Sequence, residues 1–256
     1  MAVELLSLVS ALVFVAVGAT VGAKLLWLAH RTHALPEKMV GGSMLLLSGV
    51  AWPLLLLVNL PTSLPGGVLR AAWCVAALAM SSGWSGVYLF TWHVFRPGPG
   101  WARTLAFGGI GILFAAGLAG VVRGLTLEDL AQLRTSSTSG LILVLAAEAV
   151  YVWTALEAVR YRALLKRRIP LGLADPLVAD RFGLWAWTSG FGFASLLPAV
   201  IATVTGGDPN TTANRLFVGV CGILCSAALY FAFLPPAAYA RFVRENAPAP
   251  EPAGGL

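Results

Sequence analysis

The sequence predicts an all-α fold: a polytopic membrane protein formed by a bundle of seven transmembrane helices, with the N-terminus outside and the C-terminus in the cytoplasm. Composition is the first observation, since 58% of the 256 residues are hydrophobic and 11% are charged, unlike a soluble domain of this length. Secondly, seven apolar stretches are each long enough to cross a bilayer, which takes about 20 helical residues. Thirdly, the positive charges concentrate on one set of connections.

The seven apolar stretches are expected to form one transmembrane domain, residues 1–243. Helices are predicted in each of them because a lipid-facing backbone must satisfy its hydrogen bonds within the segment, and the alternating pattern of outer-membrane strands is absent. The predicted spans are 3–28, 39–60, 67–95, 102–122, 140–161, 177–205 and 213–240. Residues 244–256 are rich in Pro and Ala, which predicts a flexible cytoplasmic tail.

The first span begins with MAVELL, which contains an acid and no Lys or Arg, and the span is longer than the apolar region of a signal peptide. We therefore expect a membrane helix there. The inner connections, the adjoining helix ends and the tail hold 13 Lys and Arg residues against 4 on the opposite side, which orients the bundle by the positive-inside rule. We expect a bacterial inner membrane protein. Its net charge of +6 reflects basic residues that contact the head groups of membrane lipids, and no nucleic-acid partner is expected.

The third span carries polar side chains on one helical face, where Ser81, Ser85, Tyr88 and Trp92 recur at helical spacing. We expect this face to point into the bundle and to line either a packed core or a polar cavity. The stretch SGWSG at 82–86 also resembles the Gly-x-Ser-Gly nucleophile motif of rhomboid intramembrane proteases, which would imply a nucleophilic Ser85. That chemistry needs a histidine from a later helix, and spans four to seven contain none.

No enzyme is therefore predicted, because the nearest histidine, His93, is eight residues from Ser85, about 12 Å along the same helix. The other two histidines are His30 and His33, and all three lie at the cytoplasmic ends of spans one and three. They could form a metal or haem site with Glu37, but solvated side chains at the membrane edge are more common. No metal or other cofactor is predicted.

Glu148 is the most informative residue of the fifth span. It lies about 12 Å into the span, near the bilayer midplane, where an ionised carboxylate costs at least a few kcal/mol unless it is paired. Two roles stay open: a protonated carboxyl bonded to a serine or a carbonyl, and a site for a ligand, a cation or a proton. Tyr151 shares its face, whereas Glu157 is expected to form an ion pair at the cytoplasmic edge, with Lys24 as one candidate.

The connection from span five to span six is strongly basic. Asp175-Pro176 predicts an N-cap and a first-turn proline for span six. The region is either a turn with lipid-facing positive charges or a docking surface for a cytoplasmic protein. The candidate docking residues are Arg160, Arg162, Lys166, Arg167, Arg168, Asp175 and Arg181. Span six itself combines aromatic residues, among them Trp185, with Pro198, as in a helix that moves or lines a pocket.

Helix count and orientation resemble those of rhodopsins and G-protein-coupled receptors, but span seven has no lysine for a retinal Schiff base. A fuller resemblance is to uncharacterised bacterial seven-helix integral membrane proteins. It implies the architecture and no activity. The motifs that carry it are Leu35-Pro36-Glu37, Phe95-Arg96-Pro97-Gly98 with Trp101-Ala102, and Gly172-Leu173-Ala174-Asp175-Pro176.

Our leading hypothesis is a receptor-like, non-enzymatic protein that binds a small ligand in the bundle and signals through its cytoplasmic loops. An alternative is a small proton-coupled transporter that uses Glu148, and a third is a structural or assembly subunit of a membrane complex. A cytoplasmic protein or a second copy of the chain is the candidate partner. The candidate ligand or proton site comprises Glu148, Tyr151, Ser81, Ser85, Tyr88 and Trp185.

Overall fold

The computed structural model describes residues 2–59, 64–127, 137–208 and 211–247, and within these ranges all regular secondary structure is helical. Seven of the described helices are long and apolar enough to cross a membrane. This confirms the predicted all-α membrane protein with seven candidate spans. The helices are α1 (Ala2–Thr32), α2 (Leu35–Asn59), α3 (Gly66–Phe95), α4 (Gly100–Thr126), α5 (Thr138–Arg168), α6 (Pro176–Thr205), α7 (Thr212–Phe233) and the short α8 (Ala237–Glu245).

The seven long helices form a closed ring. Each packs against its neighbours in sequence, and α1 closes the ring by packing against α7. The helix α3 also contacts α5 across the ring, and 56% of its apolar window is buried, the largest share among the candidate spans. Because α3 lies furthest inside, its polar face must find partners within the protein.

Short connections make consecutive helices antiparallel, so the bundle has two distinct ends. We call the end where α1, α3, α5 and α7 finish the basic end, and the other the N-terminal end. Among the described residues, the N-terminal end carries Arg70, Arg123 and Arg215. The basic end carries Lys24, Arg31, Lys38, Arg96, Arg103, Arg160, Arg162, Lys166, Arg167, Arg168, Arg181, Arg241 and Arg244.

Serine and glycine pairs set the distance between several neighbouring helices. In each pair the serine hydroxyl occupies the position that a Cβ on the glycine would take, so the two helices approach as closely as small residues allow. The pairs are Gly18 with Ser48, Gly86 with Ser43, Gly117 with Ser81, and Gly222 with Ser10. The SGWSG stretch of α3 takes part through Gly86 and through Gly83, which faces Leu47 of α2.

The contact between α1 and α2 predicts a large difference between two glycines. A Cβ on Gly22 would lie 2.9 Å from the carbonyl oxygen of Gly41, whereas a Cβ on Gly42 meets nothing within 4 Å. We expect Gly22→Ala to cost about 1–3 kcal/mol of unfolding free energy, because backbone must move. Gly42→Ala should be neutral or stabilising by up to about 1 kcal/mol. Unfolding in mixed detergent micelles measures both, and equal shifts would contradict the close α1–α2 contact.

The predicted seventh span, 213–240, differs from the structure, which divides it into two helices. The helix α7 ends at Phe233, and α8 begins at Ala237 after Pro235 and Pro236. Proline lacks a backbone N–H and disfavours helix in the preceding residue, so two prolines in succession end α7. The helix α8 also includes residues 244–245, which the composition of the C-terminal segment predicts to be part of the tail. Residues 248–256 lie outside the described residues.

Candidate functional site

A cavity of about 200 Å³ lies between α2, α3, α4 and α5 in the N-terminal half of the bundle. It forms where small residues of α3 and α4 face each other and leave space. Apart from two serines at the start of α5, the lining is apolar, which suits an uncharged, largely apolar molecule. The lining residues are Leu55, Trp73, Ala76, Ala77, Met80, Ala116, Gly117, Gly120, Ser137, Ser139, Gly140, Leu143 and Val144.

The cavity wall is held by specific contacts. The indole Nε1 of Trp73 donates a hydrogen bond to the carbonyl oxygen of Gly120, 2.9 Å away, and so fixes one wall between α3 and α4. Met80 and Leu143 pack against the core cluster that contains Trp84 and Tyr88. The cavity is therefore bounded by the packed core on the side towards the basic end.

The polar face of α3 is packed core. The hydroxyl of Ser81 donates to the carbonyl oxygen of Leu113 in α4 at 2.9 Å, and that of Ser85 donates to the Ser81 carbonyl at 2.7 Å. Tyr88 is 2% exposed, and its hydroxyl donates to the carbonyl oxygen of Ala146 in α5 at 2.8 Å. Of the two environments expected for this face, the structure therefore shows the packed core, with each hydroxyl bonded to a backbone carbonyl.

Glu148 is 6% exposed in α5, and neither of its carboxyl oxygens has a hydrogen-bond partner among the described residues. Tyr151, one turn further along α5, packs edge-on against Trp84 with ring centroids 4.6 Å apart, and its ring covers Gly192 of α6. An ionised carboxylate buried without a partner costs several kcal/mol, which a bound proton or cation would offset. Glu148 is thus the least satisfied of the predicted site residues.

Trp185 does not join the other predicted site residues. It belongs to a second core cluster with Val21, Leu25 and Leu229, and its ring contacts Phe90 and Phe233. The reason is the antiparallel course of α6: Trp185 precedes Gly192 by seven residues, which places it about 10 Å nearer the basic end. The expected single site of six residues is therefore divided, and none of the six lines the cavity.

The three histidines are exposed at the basic end. In the described part of the chain, no group of three or more His, Cys, Asp and Glu side chains could hold a metal ion. Ser85 is buried and its hydroxyl donates to the Ser81 carbonyl, whereas His93 is exposed at the basic end.

The predicted ion pair of Glu157 forms with Arg96 instead of the candidate Lys24. The Glu157 side chain is 5% exposed, and its Oε1 lies 2.9 Å from Nε of Arg96 and 3.5 Å from a guanidinium nitrogen of Arg160. The hydrogen bond to Glu157 raises the pKa of the Arg96 guanidinium. One turn nearer the membrane centre, the hydroxyls of Thr91 and Thr154 are 2.8 Å apart, so α3 and α5 are joined by polar contacts at the basic end.

The candidate docking residues divide into two groups. Asp175 caps α6 by accepting from the backbone N–H of Leu177 at 2.9 Å, as predicted, and it also pairs with Arg244 of α8 at 3.4 Å. Arg162 lies 4.0 Å from Asp180, so both Asp175 and Arg162 have partners within the protein. Arg160 is exposed and approaches Glu157, and the other exposed residues of the set are Lys166, Arg167, Arg168 and Arg181.

The helix α8 is attached to α6 through Tyr239. Its phenolic hydroxyl donates to Asp180, and its ring lies 4.9 Å from that of Phe231. Partial burial and the hydrogen bond to Asp180 raise the pKa of Tyr239 to about 12. The hydroxyl therefore keeps its proton, and its bond to Asp180, throughout the physiological range.

The cavity-lining residues carry no sequence pattern that marks them as a site. Their one local signal is the run of small residues in α3 and α4, such as Ala76-Ala77 and Gly117 with Gly120, which is equally typical of tight helix packing. The three quoted motifs lie at the start of α2, from the end of α3 to the start of α4, and in the turn that leads into α6, all at the basic end. No family model, no curated protein and no solved structure matches this chain.

Proposed function

We propose that this chain is a receptor-like, non-enzymatic membrane protein that binds a small, uncharged, largely apolar ligand in the cavity between α2, α3, α4 and α5. The cavity carries the proposal, because it is a partly open space between four helices and is lined mainly by apolar groups. The concentration of cations favours a basic end that faces the cytoplasm of a bacterium and an N-terminus that lies outside the inner membrane. The cavity then lies in the outer half.

The helices α3 and α5 connect the cavity to the basic end. Both line the cavity in the N-terminal half, through Met80 and Val144 among others, and both are joined at the other end by the pair of Arg96 with Glu157. Between these two points, Trp84 packs against Tyr151, and the hydroxyl of Thr91 contacts that of Thr154, so a change in helix separation at the cavity is transmitted along a continuous contact. The exposed cations at the end of α5 and near the start of α6 form a surface that a cytoplasmic partner can contact.

Native mass spectrometry of the protein in mild detergent tests this function. We expect a retained small apolar molecule on the wild type, or saturable binding when 1-octanol is titrated. Val144→Phe fills part of the cavity and should lower the affinity for the ligand at least about tenfold, since a phenyl ring takes the space of the ligand. Val152→Phe is the matched control, because Val152 lies on the exposed face of the same helix.

Two results would contradict the proposal: no saturable binding by the wild type, or equal binding by the Val144→Phe and Val152→Phe variants. The same spectrum tests the hypothesis that the chain is an assembly subunit of a membrane complex, which requires a second chain or a second copy to be retained.

A proton-coupled transporter is the second candidate, favoured by the buried carboxyl of Glu148 in α5, which has no hydrogen-bond partner among the described residues. In that case a pH gradient across liposomes should drive flux of the substrate class that the cavity admits. Glu148→Gln, which cannot exchange a proton, should abolish the flux, whereas Glu245→Gln in α8 should leave it intact. Flux that survives Glu148→Gln excludes this role for the residue.

A further inference from the structure

Two neighbouring segments at the basic end expose apolar side chains beside arginines. In the turn between α5 and α6, Leu171 and Leu173 are 62% and 72% exposed, and Gly172 between them adopts φ +68°. In α8, which contains no buried residue, Phe242 is 61% exposed next to the exposed Arg241. Such side chains cost free energy in water and are typical of segments that insert between lipid head groups.

The two segments form one surface. Arg244 of α8 pairs with Asp175, the last residue before α6, and Tyr239 donates a hydrogen bond to Asp180 in the first turns of α6. The turn that contains Leu171 and Leu173 leads directly into Asp175. We call the turn 169–175 together with α8 the rim of the basic end. The exposed Arg167 and Arg168 at the end of α5 adjoin it.

The connection to α7 places the rim at the depth of the lipid head groups. Three residues lie between Phe233, the last residue of the spanning helix, and Ala237, so the start of α8 lies within about 14 Å of the end of α7. The polar layer of a bilayer adds roughly 5–8 Å beyond the hydrocarbon on each side. A nine-residue helix attached to the start of α6 by Tyr239 and Arg244 therefore stays near this layer.

We propose that the rim binds anionic phospholipid: Leu171, Leu173 and Phe242 insert among the lipids, and Arg167, Arg168 and Arg241 contact the phosphate groups. Charge selects the partner, because the exposed Arg167, Arg168 and Arg241 outnumber the rim's two described acids, which are Glu245 and the Asp175 that pairs with Arg244. The arginine stems can lie along the apolar surface while their heads reach the phosphates. This inference does not depend on the ligand in the cavity.

Hydrogen exchange of the α8 amides, with the full chain in lipid nanodiscs, tests the proposal. Replacing part of the phosphatidylcholine by phosphatidylglycerol should slow exchange at 237–245 about fivefold at about 0.15 M salt, as expected for one added arginine contact, and the difference should shrink at about 1 M salt. The double variant Arg241→Gln/Phe242→Ser should lose this lipid dependence. The control Val204→Ser/Arg215→Gln, which removes an exposed apolar group and an exposed arginine at the N-terminal end, should keep it.

Equal exchange rates in the two lipids would overturn the proposal, and so would a lipid dependence that persists in the Arg241→Gln/Phe242→Ser variant. Protection of α8 by added polyglutamate, without any response to phosphatidylglycerol, would also overturn it and would assign the rim to an acidic protein. Each variant is compared with itself in the two lipids, which removes differences in exchange rate between variants that do not depend on the lipid.

Discussion

Replacing Arg96 by alanine is expected to lower the free energy of unfolding by about 3 kcal/mol, because the change leaves the buried Glu157 carboxylate without its best partner. The two groups are 2.9 Å apart, and the Glu157 side chain is 5% exposed. We expect the lower part of the range for breaking a buried ion pair, since Arg160 remains 3.5 Å from Glu157. Unfolding in mixed detergent micelles measures the loss.

Two further variants make this result specific. The double variant Arg96→Ala/Glu157→Gln should recover most of the lost stability, because it also removes the buried charge. Arg103→Ala at the same end should cost less than about 0.5 kcal/mol, since Arg103 is exposed and only approaches the Phe107 ring at 6.0 Å. Similar losses of unfolding free energy for Arg96→Ala and Arg103→Ala would show that the ion pair of Arg96 with Glu157 does not stabilise the contact between α3 and α5.

Replacing Glu148 by leucine is expected to have the opposite sign and to stabilise the bundle by about 1–3 kcal/mol. The carboxyl is buried with both oxygens lacking partners among the described residues, so an apolar side chain of similar size removes a desolvation cost. Under the transporter hypothesis the same change abolishes proton-driven flux. A gain in stability combined with a loss of function identifies a residue that serves function at the expense of stability.

Glu157→Leu is the matched control for Glu148→Leu. It removes a carboxylate that has two basic partners, so it should lower the free energy of unfolding in the same assay. If Glu148→Leu destabilises the protein as much as Glu157→Leu does, then Glu148 is a structural carboxyl with a bonded partner. In that case the transporter hypothesis loses its main support.

The two proposed functions of the bundle make different use of Glu148. A receptor for an apolar ligand needs the cavity near Val144, which lies one turn from Glu148, and does not require the carboxyl to exchange protons. A transporter needs both. The Val144→Phe and Glu148→Gln variants therefore separate the two functions, because only a transporter loses activity in both.

Several features of the candidate site could be predicted from local sequence. Burial of Ser81, Ser85 and Tyr88 followed from their spacing on one helical face, and the Asp175 cap from an acid placed before a first-turn proline. For Glu148 two alternatives stayed open, a carboxyl bonded to a serine or a carbonyl and a site for a ligand, a cation or a proton, because local sequence does not show which groups of other helices face it.

The sequence by itself determined that this chain is all-α, with seven helices able to cross a membrane, and it determined which helix faces are polar. Long apolar stretches and helical spacing are properties of neighbouring residues, so a single chain segment reveals them. Only the tertiary structure decided that α3 contacts α5 across the ring and that Arg96 pairs with Glu157. It also decided that Trp185 lies apart from Tyr88 and that a cavity forms near Trp73. These features depend on the rotation and depth of each helix against its neighbours, which small and large side chains from different segments set together.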